Sequence, residues 1–381
     1  MRSFALLCAT VALSTVTTHT AQSPAPEPRP GLVLTAVIVD TAGEPIADLA
    51  PTDFAVTVDG TPRALRFARF VAHAAGQPST PPRTIILMID QANLRAGSGG
   101  PTLNAASAFL DRLAPTDGVG LVALPSGGPA IDVTTDRARV KDALGKVSGQ
   151  VRPGSDTMSH NFGLTEALYF FERDPRWNLV VTRECIERYL PGYLGSHCST
   201  GIEQDAENLV LYVKEAGANT VNVMQRVLLW SSFVDGPKSL VLVTEGLVTG
   251  SLQSLNSLVD TEPLRKAAAA GGAGVYLLYQ QVGMPAMRRS PTAQEDEGLR
   301  RSGLDVVAER TGGIVIPITS GGDAAFARVA REMSGHYVLG LEPLPGDREG
   351  DLRNVEVKVR REGAVVRAHS SRMRAPAVGT Q

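Results

Sequence analysis

Cysteine is scarce in this sequence, with three among 381 residues. Cys8 falls in the extreme N-terminal segment, which leaves Cys185 and Cys198 for the body of the chain. Runs of basic residues are missing. Lys and Arg number 37 against 39 Asp and Glu, for a net charge of −2. Nucleic acid, which needs a basic stripe, is therefore not an expected partner. Beyond the N-terminus no apolar stretch approaches the roughly 20 residues that cross a bilayer, so no membrane span is expected in the mature chain. Familiar catalytic motifs are missing as well. "LPSGG" at 124–128 lacks the first glycine of a nucleophile elbow. "GPKS" at 236–239 opens a strand and lacks the spacing of a phosphate loop, and no HExxH occurs. "AAAAGGAG" at 267–274 precedes a strand, the wrong order for dinucleotide binding, and reads as a helix end.

What is present begins with Arg2, the apolar run "FALLCATVAL" and small polar residues. That order is the pattern of a secretory signal peptide, assigned to residues 1–22, so the mature protein is expected to be exported, periplasmic or secreted. Residues 23–30 are Pro-rich and read as an extended leader.

From 31 to 73 the signals are β: "LVLTAVIVD" alternates, and "DFAVTVDGTPRALRFARFV" holds two strands around a turn. A linker covers 74–82. From 83 to 335 the pattern changes. "TIILMID", "TDGVGLVAL", "KSLVLVTEG", "AGVYLLYQ" and "IVIPITS" are continuous apolar runs, as expected of strands buried on both faces. Helical stretches separate them, including "PTLNAASAFLDRLAP", "SHNFGLTEALYFFERD" and a long or broken helix in "IEQDAENLVLYVKEAGANTVNVMQRVLLWSSFV". Alternating strands and helices imply an α/β fold with a doubly wound, mostly parallel, Rossmann-like sheet. From 336 to 372 the β pattern returns, with Val355, Val357 and Val359 alternating with polar residues. Neither flanking β segment is large enough to bury a core alone. They are expected to pack together as a small β-sandwich, with the α/β domain inserted within it.

Two cysteines in an exported chain favour a disulfide, here Cys185–Cys198. The rival is a zinc site using Cys185, His197 and Cys198. It is weakened because adjacent residues point apart and no fourth ligand is evident. Both cysteines lie in 174–201, a stretch that reads as an irregular insertion. With Trp177, it is a candidate partner face, because long pinned loops often carry function. Tyr169, Phe170 and Phe171 read as core or domain-interface residues.

Several phrases in order resemble a von Willebrand factor type A (VWFA) domain, and more narrowly the exported bacterial branch called VWFA-related, common in acidobacteria. They are "VIVDTAGEPIADLAPTDFAVTVDGTPRALRFARF", "TIILMIDQANL", "FLDRLAPTDGVGLVAL", "KSLVLVTEGL", "LDVVAERTGGIVI" and "HYVLGLEP". The resemblance implies a non-enzymatic protein-binding protein of adhesion or scaffold type. It also implies a surface site for Mg²⁺, with Mn²⁺ or Ca²⁺ as substitutes, whose open position takes a carboxylate from a protein partner. Such a site draws on an Asp-x-Ser-x-Ser loop, a threonine and a further aspartate. Asp90 matches the first aspartate, but Ala92 and Leu94 stand at the serine positions, with Asn93 between them. Thr157 is the best match for the threonine and Thr165 a poorer one; Glu245 replaces the last aspartate.

Three readings of Asp90 follow: a structural carboxylate that caps the next turn or hydrogen-bonds loop amides, a weak metal held by Asp90, Thr157 and Glu245, and a full ion site. A hard cation gains little over its own hydration when anionic ligands are few, so the pattern reads as a degenerate site. His160 adjoins Ser159 and lies near Asp156, but a triad is a spatial arrangement and sequence neighbours seldom form one; capping by Ser159 or Asp156 is the alternative. A secreted hydrolase with an unrecognised site and a structural envelope component remain as alternative functions.

Overall fold

A computed structural model of the chain describes residues 32–370 and 373, apart from 74–75, 79–80, 98, 126, 151–159, 188–195, 253–256, 282–290 and 352. The signal segment and leader assigned to 1–30 lie outside these residues. Four strands open the described chain: β1 (Val33–Val39), β2 (Phe54–Val58), β3 (Thr61–Arg63) and β4 (Leu65–Ala72). The α/β region follows with β5 (Thr84–Asp90), α1 (Gly100–Asp111), β6 (Gly118–Leu124), β7 (Ala130–Thr134), α2 (Arg137–Leu144), α3 (Leu164–Phe171), α4 (Trp177–Val181) and α5 (Ser196–Ser231). It continues through β8 (Lys238–Thr244), α6 (Glu262–Gly271), β9 (Gly274–Gln280), α7 (Ala293–Thr311), β10 (Ile314–Ile318) and α8 (Asp323–Glu332). Strands β11 (Gly335–Leu341), β12 (Val355–Val359) and β13 (Val365–His369) close the fold.

The central sheet has six strands in the order β10-β9-β8-β5-β6-β7. All neighbours are parallel except β6 and β7, so the antiparallel member is an edge. The apolar runs are continuous because both faces are covered. Ile86, Met88, Leu240, Leu242, Val275 and Leu277 face a core shared with α3, α5, α6 and α7. Their neighbours Ile85, Leu87, Ile89, Val241, Val243 and Leu278 face the opposite core, built with α1, α2 and α8. This is the period of two that a pleated strand imposes, read here on two buried faces.

Helix α5 is longer than the sequence reading allowed. It runs unbroken for 36 residues, about 54 Å at 1.5 Å per residue, and its first turns take in the end of the stretch read as irregular. No proline interrupts it, and Ile202, Ala206, Val210, Val221, Met224 and Leu228 form a buried stripe at helical spacing. The insertion is partly ordered in other ways too. Trp177 begins α4 and is buried against Phe162 and Phe170, so it belongs to the core and not to an exposed partner face. Phe171, in contrast, is exposed.

Helix α3 is shorter than the sequence suggested, and within the described residues its cap comes from elsewhere in the chain. Asp296 on α7 is buried and accepts from the first amides of α3, Leu164 N at 3.0 Å and Thr165 N at 2.7 Å. Ser159 and Asp156, the local candidates, lie outside the described residues. Asp296→Ala should remove a cap and lower stability by about 1 kcal/mol, read as a shift in the urea midpoint.

The remaining strands form two antiparallel sheets, β13-β1-β11-β4 and β12-β2-β3. Each joins strands from both ends of the chain. They share one core of Leu34, Ile38, Phe54, Val56, Leu339 and Val357, centred on Tyr337. The Tyr337 ring meets Phe54 and Phe70 edge-on, at 5.2 and 5.4 Å between centroids. Its hydroxyl accepts from Leu49 N at 2.8 Å, which satisfies the polar tip of a buried aromatic.

Candidate functional site

The chain builds β5, β6 and β7 outward in one direction, then crosses back to place β8 beside β5 and builds outward in the other. Beyond the carboxyl ends of β5 and β8 lies the switch point, where open α/β sheets bind ligands. Asp90 ends β5, Thr244 ends β8, and Glu245 follows directly.

Asp90 is fully buried. Its Oδ2 accepts from Asn93 Nδ2 at 2.8 Å, Thr244 Oγ1 at 3.1 Å and Thr220 Oγ1 at 3.2 Å. Its Oδ1 has no hydrogen-bond partner among the described residues. Burial pushes the carboxyl up to about 6, and the hydrogen bonds from Asn93, Thr244 and Thr220 offset only part of that rise. Each threonine has a second acceptor for its single hydroxyl hydrogen: Ala216 O at 3.1 Å for Thr220, and Gly246 O at 3.0 Å for Thr244. The two hydroxyls can therefore turn away when Asp90 is neutral. Asp90 sits at the N-cap of the 3-10 turn Gln91–Asn93 without a side-chain cap bond, and it is held instead by the loop residue Asn93 and the two threonines.

Glu245 is held differently. Its Oε1 accepts from Arg95 N at 3.2 Å, and its Oε2 lies 3.5 Å from Arg95 Nε. Its own amide donates to Asn93 O at 3.2 Å. Two glycines fix the loop that carries it. A side chain at Gly217 on α5 would come within 2.9 Å of Val248 O, and one at Gly303 on α7 within 1.8 Å of Leu247 O. Both helices thus close on this loop at positions where a Cβ would collide.

These residues do not fit a Mg²⁺ site. A hard divalent cation asks for near-octahedral oxygen ligands. Ala92 and Leu94 supply no side-chain oxygen and are buried. Glu245 already faces a guanidinium. Thr157 lies outside the described residues. Thr165 sits at the start of α3, buried, with Oγ1 unpartnered. Among the described residues, the partnerless oxygens that would favour a cation are Asp90 Oδ1, Gln91 Oε1 and Thr165 Oγ1. Beside this cluster, the Tyr212 hydroxyl on α5 donates to Ala92 O at 3.0 Å, while Leu211 and Tyr212 stay largely exposed.

A second polar cluster joins the two cysteines of the insertion to His160 and Asp205 on either side of it. Cys185 and Cys198 form a disulfide, 13 residues apart in sequence, with Cα atoms separated by 5.8 Å. His160 Nδ1 lies 2.8 Å from Asp205 Oδ2, and its Nε2 lies 3.7 Å from Cys198 Sγ. This is the His–Asp half of a triad, but the atom before Nε2 is a bonded sulfur and not a free nucleophile. Ser159, Asp156 and the His197 side chain lie outside the described residues.

Sequence reasoning located Asp90, Glu245, His160 and both cysteines, but missed Thr220, Thr244, Arg95 and Asp205. Thr244 adjoins Glu245 in the strand-end phrase and was in view. Thr220 and Asp205 lie within a helix, 130 and 45 residues from their partners, where no local signal marks them. The fold and cluster define an α/β protein with a mixed, mostly parallel sheet and two buried carboxylates at its switch point. No model of a known protein family matches the chain, and no curated protein matches it either.

Proposed function

We propose that the chain is an exported, non-enzymatic protein-binding protein of adhesion or scaffold type. In this reading it carries a VWFA-like α/β domain whose ion site has degenerated. The observation that carries the reading is the state of the two switch-point carboxylates. Asp90 and Glu245 stand where the resemblance expects metal ligands, yet hydroxyls, an amide and the Arg95 guanidinium serve as their partners. Among the described residues both carboxylates are turned to protein partners, whereas α5 beside them exposes Leu211 and Tyr212. Tyrosine is enriched among residues that dominate binding energy at interfaces. The strand order supports the family resemblance, and the Cys185–Cys198 bond supports export to an oxidising compartment. Among the described residues no helix is long and apolar enough to cross a membrane.

The test is cross-linking capture from envelope and medium fractions of the producing cells, run in Mg²⁺ and in EDTA. One retained protein is expected, bound equally in both and about tenfold more weakly by Tyr212→Ala. Retention that requires Mg²⁺ and fails in Asp90→Ala/Glu245→Ala would mean that the ion site works. Hydrolysis of an ester, peptide or phosphate substrate, lost in His160→Ala, would replace this reading with the hydrolase.

A further inference from the structure

The cluster around the disulfide is independent of the switch point and does not depend on the binding function. We propose that reduction of the Cys185–Cys198 bond converts it into a site for one Zn²⁺-class cation, held by His160 Nε2 and the two thiolates, with Asp205 as the positioning residue behind the histidine.

The geometry is already close to such a site. One ligand atom from each of His160, Cys185 and Cys198 lies within 4.8 Å of the others. A tetrahedral zinc with bonds of about 2.3 Å to sulfur and about 2.05 Å to nitrogen puts those two ligands about 3.5 Å apart. His160 Nε2 and Cys198 Sγ are 3.7 Å apart. Two zinc-bound thiolates lie about 3.8 Å apart, a separation the freed sulfurs can reach by side-chain rotation.

The histidine is prepared for the task. Asp205 Oδ2 accepts from Nδ1–H in the tautomer that a carboxylate favours, which leaves the Nε2 lone pair on the side of the sulfur. Zinc-binding histidines are commonly braced by a carboxylate in this way. Cys198 and Asp205 are seven residues apart on α5, so they share one helix face two turns apart. His160 enters between them from the segment before α3, beside Gly201, where a Cβ would make only ordinary contact with the ring at 3.5 Å. Soft thiolates with an imidazole select zinc over magnesium or calcium. Three protein ligands leave a fourth position for water or a partner's ligand, the arrangement of an exchangeable site and not of a closed structural one.

The reduction balances with a dithiol reductant. Its thiolate attacks Cys198 Sγ, the more exposed of the two sulfurs, and Cys185 leaves as a thiolate. The second thiol of the reductant closes its own disulfide and frees Cys198. Two electrons and two protons pass to the protein, and zinc then displaces both thiol protons. Cys185 is buried, so its thiolate is costly alone and is neutralised by the cation.

The test titrates Zn²⁺, and Co²⁺ as a spectroscopic probe, into full-length mature protein reduced with a phosphine and stripped of metal. One equivalent is expected, with Kd below about 1 μM and thiolate-to-cobalt charge-transfer absorption. Disulfide-bonded protein should bind at least about 100-fold more weakly, and Asp205→Asn about tenfold more weakly than the reduced parent. His160→Ala should lose the tight site, and His197→Ala should leave it unchanged. Failure of the reduced protein to bind, a His160→Ala variant that binds like the parent, or a role for His197 would each overturn the proposal. Circular dichroism on the same samples covers folding: helix lost on reduction and not regained with Zn²⁺ would overturn it too.

Discussion

As the pH rises from about 3 to 7, the protein is expected to lose about 3 kcal/mol of stability that an Asp90→Asn variant keeps. The cause is the Asp90 carboxyl, raised by burial from 3.8 to about 6. A carboxyl whose folded pKa lies above its unfolded one binds its proton more tightly when folded. Its contribution is full below the unfolded value and disappears as the pH rises through the folded one. A shift of about two units corresponds to about 3 kcal/mol. Asparagine keeps the shape and has no proton to lose, so the two urea midpoints should diverge with pH. Parallel curves would mean that Asp90 ionises at an ordinary pH, and that its second oxygen has found a partner in water or a cation. A parent curve flattened by added Mg²⁺ would identify the cation.

The second large effect lies at the opposite end of the central sheet. Asp117→Ala is expected to cost about 3–5 kcal/mol, the usual result of stranding a buried charge. Asp117 is fully buried and takes a two-pronged bond from Arg83, which is itself buried. It also accepts from Ala114 N at 2.9 Å, and Arg83 Nη1 donates to Met333 O at 2.8 Å. The pair thereby joins the start of β5, the turn before β6 and the end of α8. Arg83→Met/Asp117→Leu should recover part of the loss, since the charge is no longer unpaired, and a double-mutant cycle measures the coupling. Partner capture by the surviving folded protein should be unchanged, because the pair does not touch the Asp90 cluster.

The frame of the α/β region was legible because period and burial agree. Runs such as 84–90 and 238–244 are apolar at every position, and both faces are covered. Asp90 was legible for the same reason, as the polar residue on which such a run stops. Its environment was not. Thr220 reaches it from the middle of α5, and the loop after Glu245 is gripped at Gly217 and Gly303, choices that only tertiary packing explains. The start of α5 misled for a local reason. "SHCSTG" has the composition of a loop, yet the disulfide and the His160–Asp205 pair tie that turn to its neighbours. Trp177 misled in the opposite direction, since an aromatic in an irregular stretch looks like a contact residue until Phe162 and Phe170 are seen to enclose it.

The pairing of Ala72 with Gly335 has a consequence for how the chain is made. Residues 73–334 leave the β region and return to the point they left. Strands β1 to β4 are synthesised first, yet β1 and β4 both need β11, and β2 needs β12. Until the last strands emerge, the first ones present unpaired edges, which invite association with other chains. The α/β region needs no such wait, because its strands pair with one another. Its folding brings residues 72 and 335 together and shortens the loop that the late β11 pairing must close. The pairings therefore predict an order of assembly reversed from that of synthesis at the N-terminus, with the α/β region protected first and the small sheets last, which pulse-labelled hydrogen exchange during refolding would check.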